Sequence, residues 1–351
     1  MLPELDKFEV KNYWQKAHLD SFLELGWPSS KNEEWKFTSL DRLIKKPLEI
    51  ALNPEGDIKY KLAPNIEDSH KLIFRNGIFD SHTSKNSAHN FTINNLLEDA
   101  SALTTINKSF LKNHPIFNLT LGAMRSAIVI DVDNASSDIT PIIELYFTGG
   151  LIEQSSHPFV MIRLGKNSKV NILETHCSVN SLSAPIVFAE LSDGSVFDHV
   201  KCQVAELNSD QLGLTLISQG TGSDYRNFTL SSGGNISRSE LHLNLNGEDA
   251  SCHLSAIYLG NKDQHIDITT RLHHNVANCK SEQVIRGVLD DRARGIFQGK
   301  IRVAEKRNNK WEVNQWIKKA ILLSFKVNKM KASKGPYSTW YDKVEGKTQG
   351  W

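Results

Sequence analysis

The sequence predicts a mainly β protein: a solenoid core over residues 126–304, an N-terminal helical and α+β region over 1–125, and a short, basic, partly helical C-terminal region over 305–351. Three observations predict it. From Ala127 onward the chain runs through short β-branched or alternating segments, among them AIVIDV, IIELYF, FVMIRL, KVNILETH and PIVFAEL. Turn clusters such as GKNSK, LSDGS, GTGSD, SSGGN, NGED and GNKD separate them. Segment starts recur roughly every 10–17 residues as far as Val303. About 175 residues of such strands would overfill one sandwich of roughly 100 residues, whereas a solenoid grows rung by rung.

The whole-chain numbers bound the rest. At 351 residues the chain can bury a proper core. Lys and Arg number 41 against 40 Asp and Glu, for a net charge of +1, so no overall field recommends nucleic acid or an anionic membrane as partner. The balance is uneven, because residues 305–351 hold eleven basic and four acidic side chains. Cys177, Cys202, Cys252 and Cys279 show no CxxC spacing, which fits reduced thiols. The opening MLPELDKFEV lacks the basic and apolar blocks of a secretory signal, and no run of 18 apolar residues occurs. A cytoplasmic protein is expected.

In chain order, Phe8, Val10, Tyr13, Trp14, Ala17, Leu19, Phe22 and Leu23 recur near helical spacing, and Gly26 with Trp27-Pro28 ends the pattern, so a helix is predicted over Lys7–Leu25. In SSKNEEWKFTSL, Ser30 or Asn32 could cap a turn, Glu33-Glu34 suit its start, and Trp35 and Phe37 read as packing anchors. KLIFRNGIFD carries the turn dipeptide Asn76-Gly77 between two strand-like runs. RGVLDDRARGIFQGKIRV, Arg286–Val303, reads as strand, tight corner, strand, with the Asp and Arg side chains of the corner neutralising each other in solvent. Beyond Glu305 the strands are expected to stop. Val313, Ile317, Ala320, Ile321, Leu323 and Val327 then suggest a basic amphipathic helix over Trp311–Lys331, and the glycine-punctuated end is expected to be loose.

Chemistry is sparse. No P-loop, dinucleotide fingerprint, zincin or nucleophile-elbow motif occurs. His and Cys are ligands that iron, zinc and copper accept, which singles out His176, Cys177, His265, His273, His274 and Cys279. Adjacent strand residues point to opposite faces, so neither His176 with Cys177 nor His273 with His274 can enter one site together. One member of each pair could still meet a rung neighbour such as Cys202, Cys252 or His253; His273 and Cys279 are the metal candidates retained. The competing reading takes the thiols as small buried hydrophobes. DDRAR could serve a β-helix enzyme acting on polysaccharide, and a purely structural solenoid is a third class. The lysines of the tail suit a solvated helix face better than a base-reading surface.

Several stretches resemble the SufD branch of the SufB/SufD family, the β-helical scaffolds of iron–sulfur cluster assembly. KNEEWKFTSL at Lys31–Leu40 is similar to an N-terminal signature of that family, and FRNGIFD at Phe74–Asp80 to its short N-G strand-turn. The blocks Ser237–Leu259 and Gln264–Ala304 follow the family core closely. The resemblance implies a right-handed parallel β-helix with helical flanks, a SufB-like homologue and a SufC-like ATPase as partners, and no catalytic residue of its own. It also implies support of iron acquisition and a transient iron or iron–sulfur cluster in the complex, with no intrinsic cofactor. A homodimer is the alternative assembly. After Ala304 only AILLS at Ala320–Ser324 and an outline over Lys334–Thr348 persist, and no His or Cys follows Cys279, so the family's interface His has no counterpart. Weak ATPase binding is expected, since the terminal helices that grip that subunit are missing from the sequence.

Overall fold

The structure, a computed structural model, describes residues 10, 12–46, 48–57, 66–82, 90–98, 111, 113–304, 320–326 and 339–345, the last two segments by backbone alone. The N-terminal part contributes α1 (Tyr13–Leu25), β1 (Glu49–Ile50), β2 (Ser69–Arg75), β3 (Ile78–Phe79), β4 (Phe91–Asn95) and α2 (Pro115–Ala123). Then come β5 (Ala127–Val132), β6 (Ile142–Thr148), β7 (Gln154–Ser156), β8 (Phe159–Leu164), β9 (Lys169–His176), β10 (Leu182–Ser183), β11 (Ile186–Leu191) and β12 (Val196–Gln203). Longer strands follow: β13 (Asp210–Gln219), β14 (Asp224–Ser231), β15 (Ile236–Leu245), β16 (Ser251–Gly260), β17 (His265–His274), β18 (Lys280–Leu289) and β19 (Arg294–Val303). The last two are β20 (Ala320–Lys326) and β21 (Thr339–Glu345).

These strands form the predicted β-solenoid, of about six turns. One wall stacks β5, β8, β11, β13, β15, β17, β19 and β21 in parallel; the other stacks β2, β6, β9, β12, β14, β16, β18 and β20. Ile186, Leu214, Glu240, Thr269 and Gln298 lie one above another in register on the first wall. At the N-terminal end β3 and β4 close the two walls by antiparallel pairing with β2 and β5. The turn clusters work as expected: Asn167, Gly194, Gly222, Asp249 and Lys262 each take a positive φ at a corner, mostly the residue types that tolerate it.

Both walls turn alternate residues inward, and Leu72, Ile130, Leu145, Ile172, Ile217 and Leu243 belong to one continuous lumenal core. The outward faces differ. On the first wall β5 and β8 are buried on both faces, because α2 with Leu96 and Leu111 covers them, while the segment after α1 packs on Leu182, Leu212 and Ile236 further along. On the second wall β12, β14 and β18 alternate buried with open residues, leaving Val200, Phe228 and Val288 exposed.

Helix α1 starts where Asn12 Oδ1 accepts the Gln15 N–H (3.1 Å) and ends at Gly26, φ 70°. The predicted first turn before Asn12 lies mostly outside the described residues. Leu19 and Phe22 face α2, and Gly122 lets the two helices touch: a Cβ there would sit 2.9 Å from the Leu19 nitrogen. Around Glu33–Trp35 the chain makes a 3-10 turn, with Asn32 Oδ1 engaged by the Ser29 N–H rather than capping it.

The Arg286–Val303 block is β18, corner and β19, as the pattern suggests, but its charges pair differently. Arg292 makes two bonds of 2.6 Å to Asp263 of the preceding corner, exposed to solvent, instead of neutralising its own neighbours. Gly287 and Gly295 pack flat against the buried Tyr258 ring, where a Cβ would lie 2.0 and 2.3 Å from ring carbons.

The C-terminal expectation is corrected. Ala320–Lys326, in the middle of the expected helix, is strand β20, paired parallel with β18 from Gln283↔Ala320 to Leu289↔Lys326. Thr339–Glu345, expected to be loose, is β21, paired with β19. The open ladder edges of β18 and β19 offer backbone partners that an isolated helix lacks, and a short apolar run such as AILLSF satisfies either period. The rest of Trp311–Lys331 and of Lys334–Thr348 lies outside the described residues. No helix among the described residues is long and apolar enough to cross a membrane.

Candidate functional site

Two buried charged clusters stand out, one on the covered face of the first wall and one inside the lumen. The first comes from β15. Its alternation sends Leu241, Leu243 and Leu245 into the lumen and so points Arg238, Glu240 and His242 outward. In register on β17, Asp267 stands beside Arg238 and Thr269 beside Glu240. Over this face lies the N-terminal cover, with His114 as the N-cap of α2.

Glu240 is the hub. Its Oε1 lies 2.7 Å from His242 Nε2 and 3.3 Å from His114 Nε2, and its Oε2 accepts from Arg238 Nε (3.1 Å) and Nη2 (3.0 Å). Arg238 also donates to Asp267, which accepts the Thr38 hydroxyl as well. The Trp35 ring lies over the guanidinium at 4.1 Å, and Thr38 Oγ1 reaches His265 Nε2 at 2.9 Å. One position before Trp35, Glu34 pairs with Arg271 at 2.5 Å. The EEWKFT stretch therefore docks on Arg238, and Trp35 is the packing anchor its surroundings suggested.

Burial shapes the charges. It pushes the Glu240 carboxyl up, but Arg238, with hydrogen bonds from His114 and His242, outweighs it and holds the group well below the usual carboxylate range. Burial lowers His242 and His265. For Arg238, burial works against the cation, yet Asp267 and Glu240 raise it. The cluster is a clamp fixing the N-terminal segment to the solenoid, and it also gathers three metal-competent atoms: those of His114, Glu240 and His242 all lie within 4.8 Å of one another.

The second cluster interrupts the apolar lumen. Glu174 and His176 on β9 face inward two residues apart, as do His199 and Lys201 on the paired β12, where Lys201 is opposite Glu174. Glu174 accepts from His176 Nε2, from Lys201 Nζ (2.9 Å) and from His199 Nε2 (2.7 Å). The Tyr225 hydroxyl bonds His199 Nδ1 at 3.0 Å. Burial raises the Glu174 carboxyl, and Lys201 with His176 and His199 reverses this to well below the normal range. His176 is lowered by burial and stacks on Phe147 at 4.6 Å. Lys201 and the two imidazoles balance the Glu174 carboxylate, so loss of any one of them would leave it less well compensated in the lumen.

The residues singled out from sequence scatter. His273 is half-buried on the outer face of the first wall, in register with Arg302, and burial with nearby cations lowers it to about 4. Cys279 is in the lumenal core, donating to the Gly247 carbonyl (3.4 Å), and burial pushes its thiol up to about 11. The two therefore stand on different faces of the wall. His274 bonds Ser281 (3.0 Å), His253 lies near Glu282 (3.6 Å) on the open wall, and Cys177 donates to the Phe147 carbonyl. Cys252 is buried beside Cys279 and raised by burial, while Cys202 is half-exposed on the second wall and raised by burial and Glu174. Sequence reasoning singled out His176 and His265 but did not find the partners that make up either cluster. Their signal was polar residues two apart in strands, Glu174/His176, His199/Lys201 and Arg238/Glu240/His242, and the Asn113-His114-Pro115 helix start.

A parallel solenoid with an N-terminal segment clamped to one wall defines the class, and the comparison agrees. The chain belongs to the family described as SUF system FeS cluster assembly, SufBD core domain, whose model matches residues 147–328. Within it the chain is SufD-like: over 302 residues, 83% of this chain and 69% of the relative, it is 23% identical to the iron-sulfur cluster assembly protein SufD of Escherichia coli (strain K12). A shorter likeness is to an enzyme. Over 77 residues it is 46% identical to 2,3,4,5-tetrahydropyridine-2,6-dicarboxylate N-succinyltransferase of Pelagibacter ubique (strain HTCC1062), covering 21% of this chain and 28% of that protein. The same enzyme of Acinetobacter baumannii (strain AYE) matches over 81 residues at 46%, 23% of this chain and 29% of the relative. The chain thus spans little more than a quarter of those enzymes.

Proposed function

We propose that this chain is a scaffold subunit for iron–sulfur cluster assembly, working in the cytoplasm in a complex with a SufB-like homologue and a SufC-like ATPase. A pairing with a second copy is the alternative assembly. The observation that carries this is the SufBD core match over residues 147–328, which takes in the rungs from the end of β6 through β20. ATP hydrolysis belongs to the ATPase partner. The chain contributes geometry and support of iron acquisition, and the cluster being built is a transient guest of the complex.

The charged groups support a structural use of this chain: Glu174, Glu240 and Asp267 are buried in ion pairs and hydrogen bonds. A polysaccharide enzyme would need open carboxylates along a groove. Because the succinyltransferase likeness covers only 77–81 residues, we take it as a shared structural segment without acyl transfer. The test is anaerobic reconstitution with iron and sulfide of the complex reassembled with and without this chain. Visible absorption of a cluster that depends on the chain is expected; equal cluster formation without it contradicts the reading.

A further inference from the structure

Among the described residues, His114, Glu240 and His242 are the group whose ligand atoms converge. They come from separate parts of the chain, two from alternate positions of β15 and one from the cap of α2, so the set exists only when the N-terminal cover is docked. Glu240 Oε1 lies 2.7 and 3.3 Å from the two imidazole nitrogens. An ion with bonds of about 2.0–2.2 Å to nitrogen and oxygen holds its ligand atoms roughly 3 Å apart, so small side-chain shifts would suffice. The carboxylate is already oriented from behind, since Arg238 holds Oε2 and is itself held by Asp267 and Trp35. Two imidazoles and one carboxylate with open positions are the donor set suited to ferrous iron.

We propose that His114, Glu240 and His242 bind one divalent first-row transition ion of the Fe(II) type at the seam between the N-terminal cover and the solenoid. The site goes beyond the scaffold reading and does not depend on it. It has a specific proton balance. In the ion-free protein His114 Nδ1 accepts the Phe117 N–H (3.2 Å), so the single proton of the neutral ring sits on Nε2, facing Glu240. Coordination through Nε2 moves that proton to Nδ1, and His242, whose Nε2 likewise donates to Glu240 Oε1 (2.7 Å), makes the same exchange within its ring, so no proton is released. The Phe117 N–H then loses its acceptor, and ion binding loosens the first turn of α2.

The experiment uses the full chain, stripped with a chelator and titrated anaerobically with ferrous chloride, and separately with cobalt(II) chloride as a visible probe. One equivalent of either ion is expected, with faster amide hydrogen exchange at Phe117 on loading. His114→Asn removes a ligand but keeps a favoured cap residue, so the fold is retained while affinity falls by about tenfold or more. His242→Gln gives a second reading of the same loss. Wild-type chain that takes up no stoichiometric ion, or a folded His114→Asn variant that binds as tightly as wild type, overturns the proposal. If neither variant folds, an unchanged Phe117 exchange rate in the loaded wild type overturns it.

Discussion

Lys201 and Glu174 face each other across the β9–β12 ladder inside the solenoid, Nζ to Oε1 2.9 Å, with side-chain exposures of 3% and 0%. The ammonium is the cation that balances a carboxylate already accepting from two imidazoles. Removing one member of such a pair strands the other in a medium that solvates it poorly. Lys201→Met is expected to destabilise the protein by about 3–5 kcal/mol in urea unfolding, and adding Glu174→Gln to recover part of that loss. A loss under about 1 kcal/mol from the single change would mean that the pair is hydrated and unimportant.

Acid sensitivity should begin in the histidine range. His157 is buried, with Nε2 near Ser155 Oγ (3.1 Å), and burial lowers it from 6.5 to about 3. Between those values the unfolded chain binds the proton and the folded one does not, so stability falls as pH drops. The loss from pH 7 to 5 is about 2 kcal/mol for this group. His157→Gln should unfold with a shallower pH dependence over that range, and an unchanged slope would remove His157 from the account.

Trp35 and Arg238 hold the N-terminal segment to the first wall. Trp35→Ala should cost about 3–5 kcal/mol and speed proteolysis within residues 33–38 before the solenoid is cut. Arg238→Lys should also loosen the segment, because an ammonium cannot hold Glu240 with two parallel N–H groups or stack flat on Trp35. Digestion at the wild-type rate in both variants would show that the clamp does not hold the segment.

Gly287 has no room for a side chain beside Tyr258. Gly287→Ala is expected to cost about 3 kcal/mol, and Tyr258→Leu in the same chain to relieve part of it, since the clash is with the ring. Equal losses whether or not the ring is present would place the strain in the backbone instead.

The solenoid was legible because its signals are local: period-two runs, Asn, Asp and Gly at corners, and a total length that one sandwich cannot hold. The seam was not. Nothing near Trp35 in sequence announces Arg238, and His114 reads only as a residue before a helix-starting proline. His176 and Cys177 were separated correctly by strand alternation, and the same alternation applied to Arg238, Glu240 and His242 puts all three on one face. What alternation cannot tell is that this face is covered, which depends on α2 docking from far away in the chain. β20 went unread because AILLSF fits either period, and only the open edge of β18 decides.

The central claim is that this chain is a SufD-like scaffold subunit, and co-purification tests it most directly. Tagged chain expressed together with a SufB-like homologue and a SufC-like ATPase is predicted to retain the SufB-like partner through affinity and size-exclusion steps, with the weakly held ATPase recovered at the affinity step. Recovery of the folded chain with neither partner bound would contradict the account.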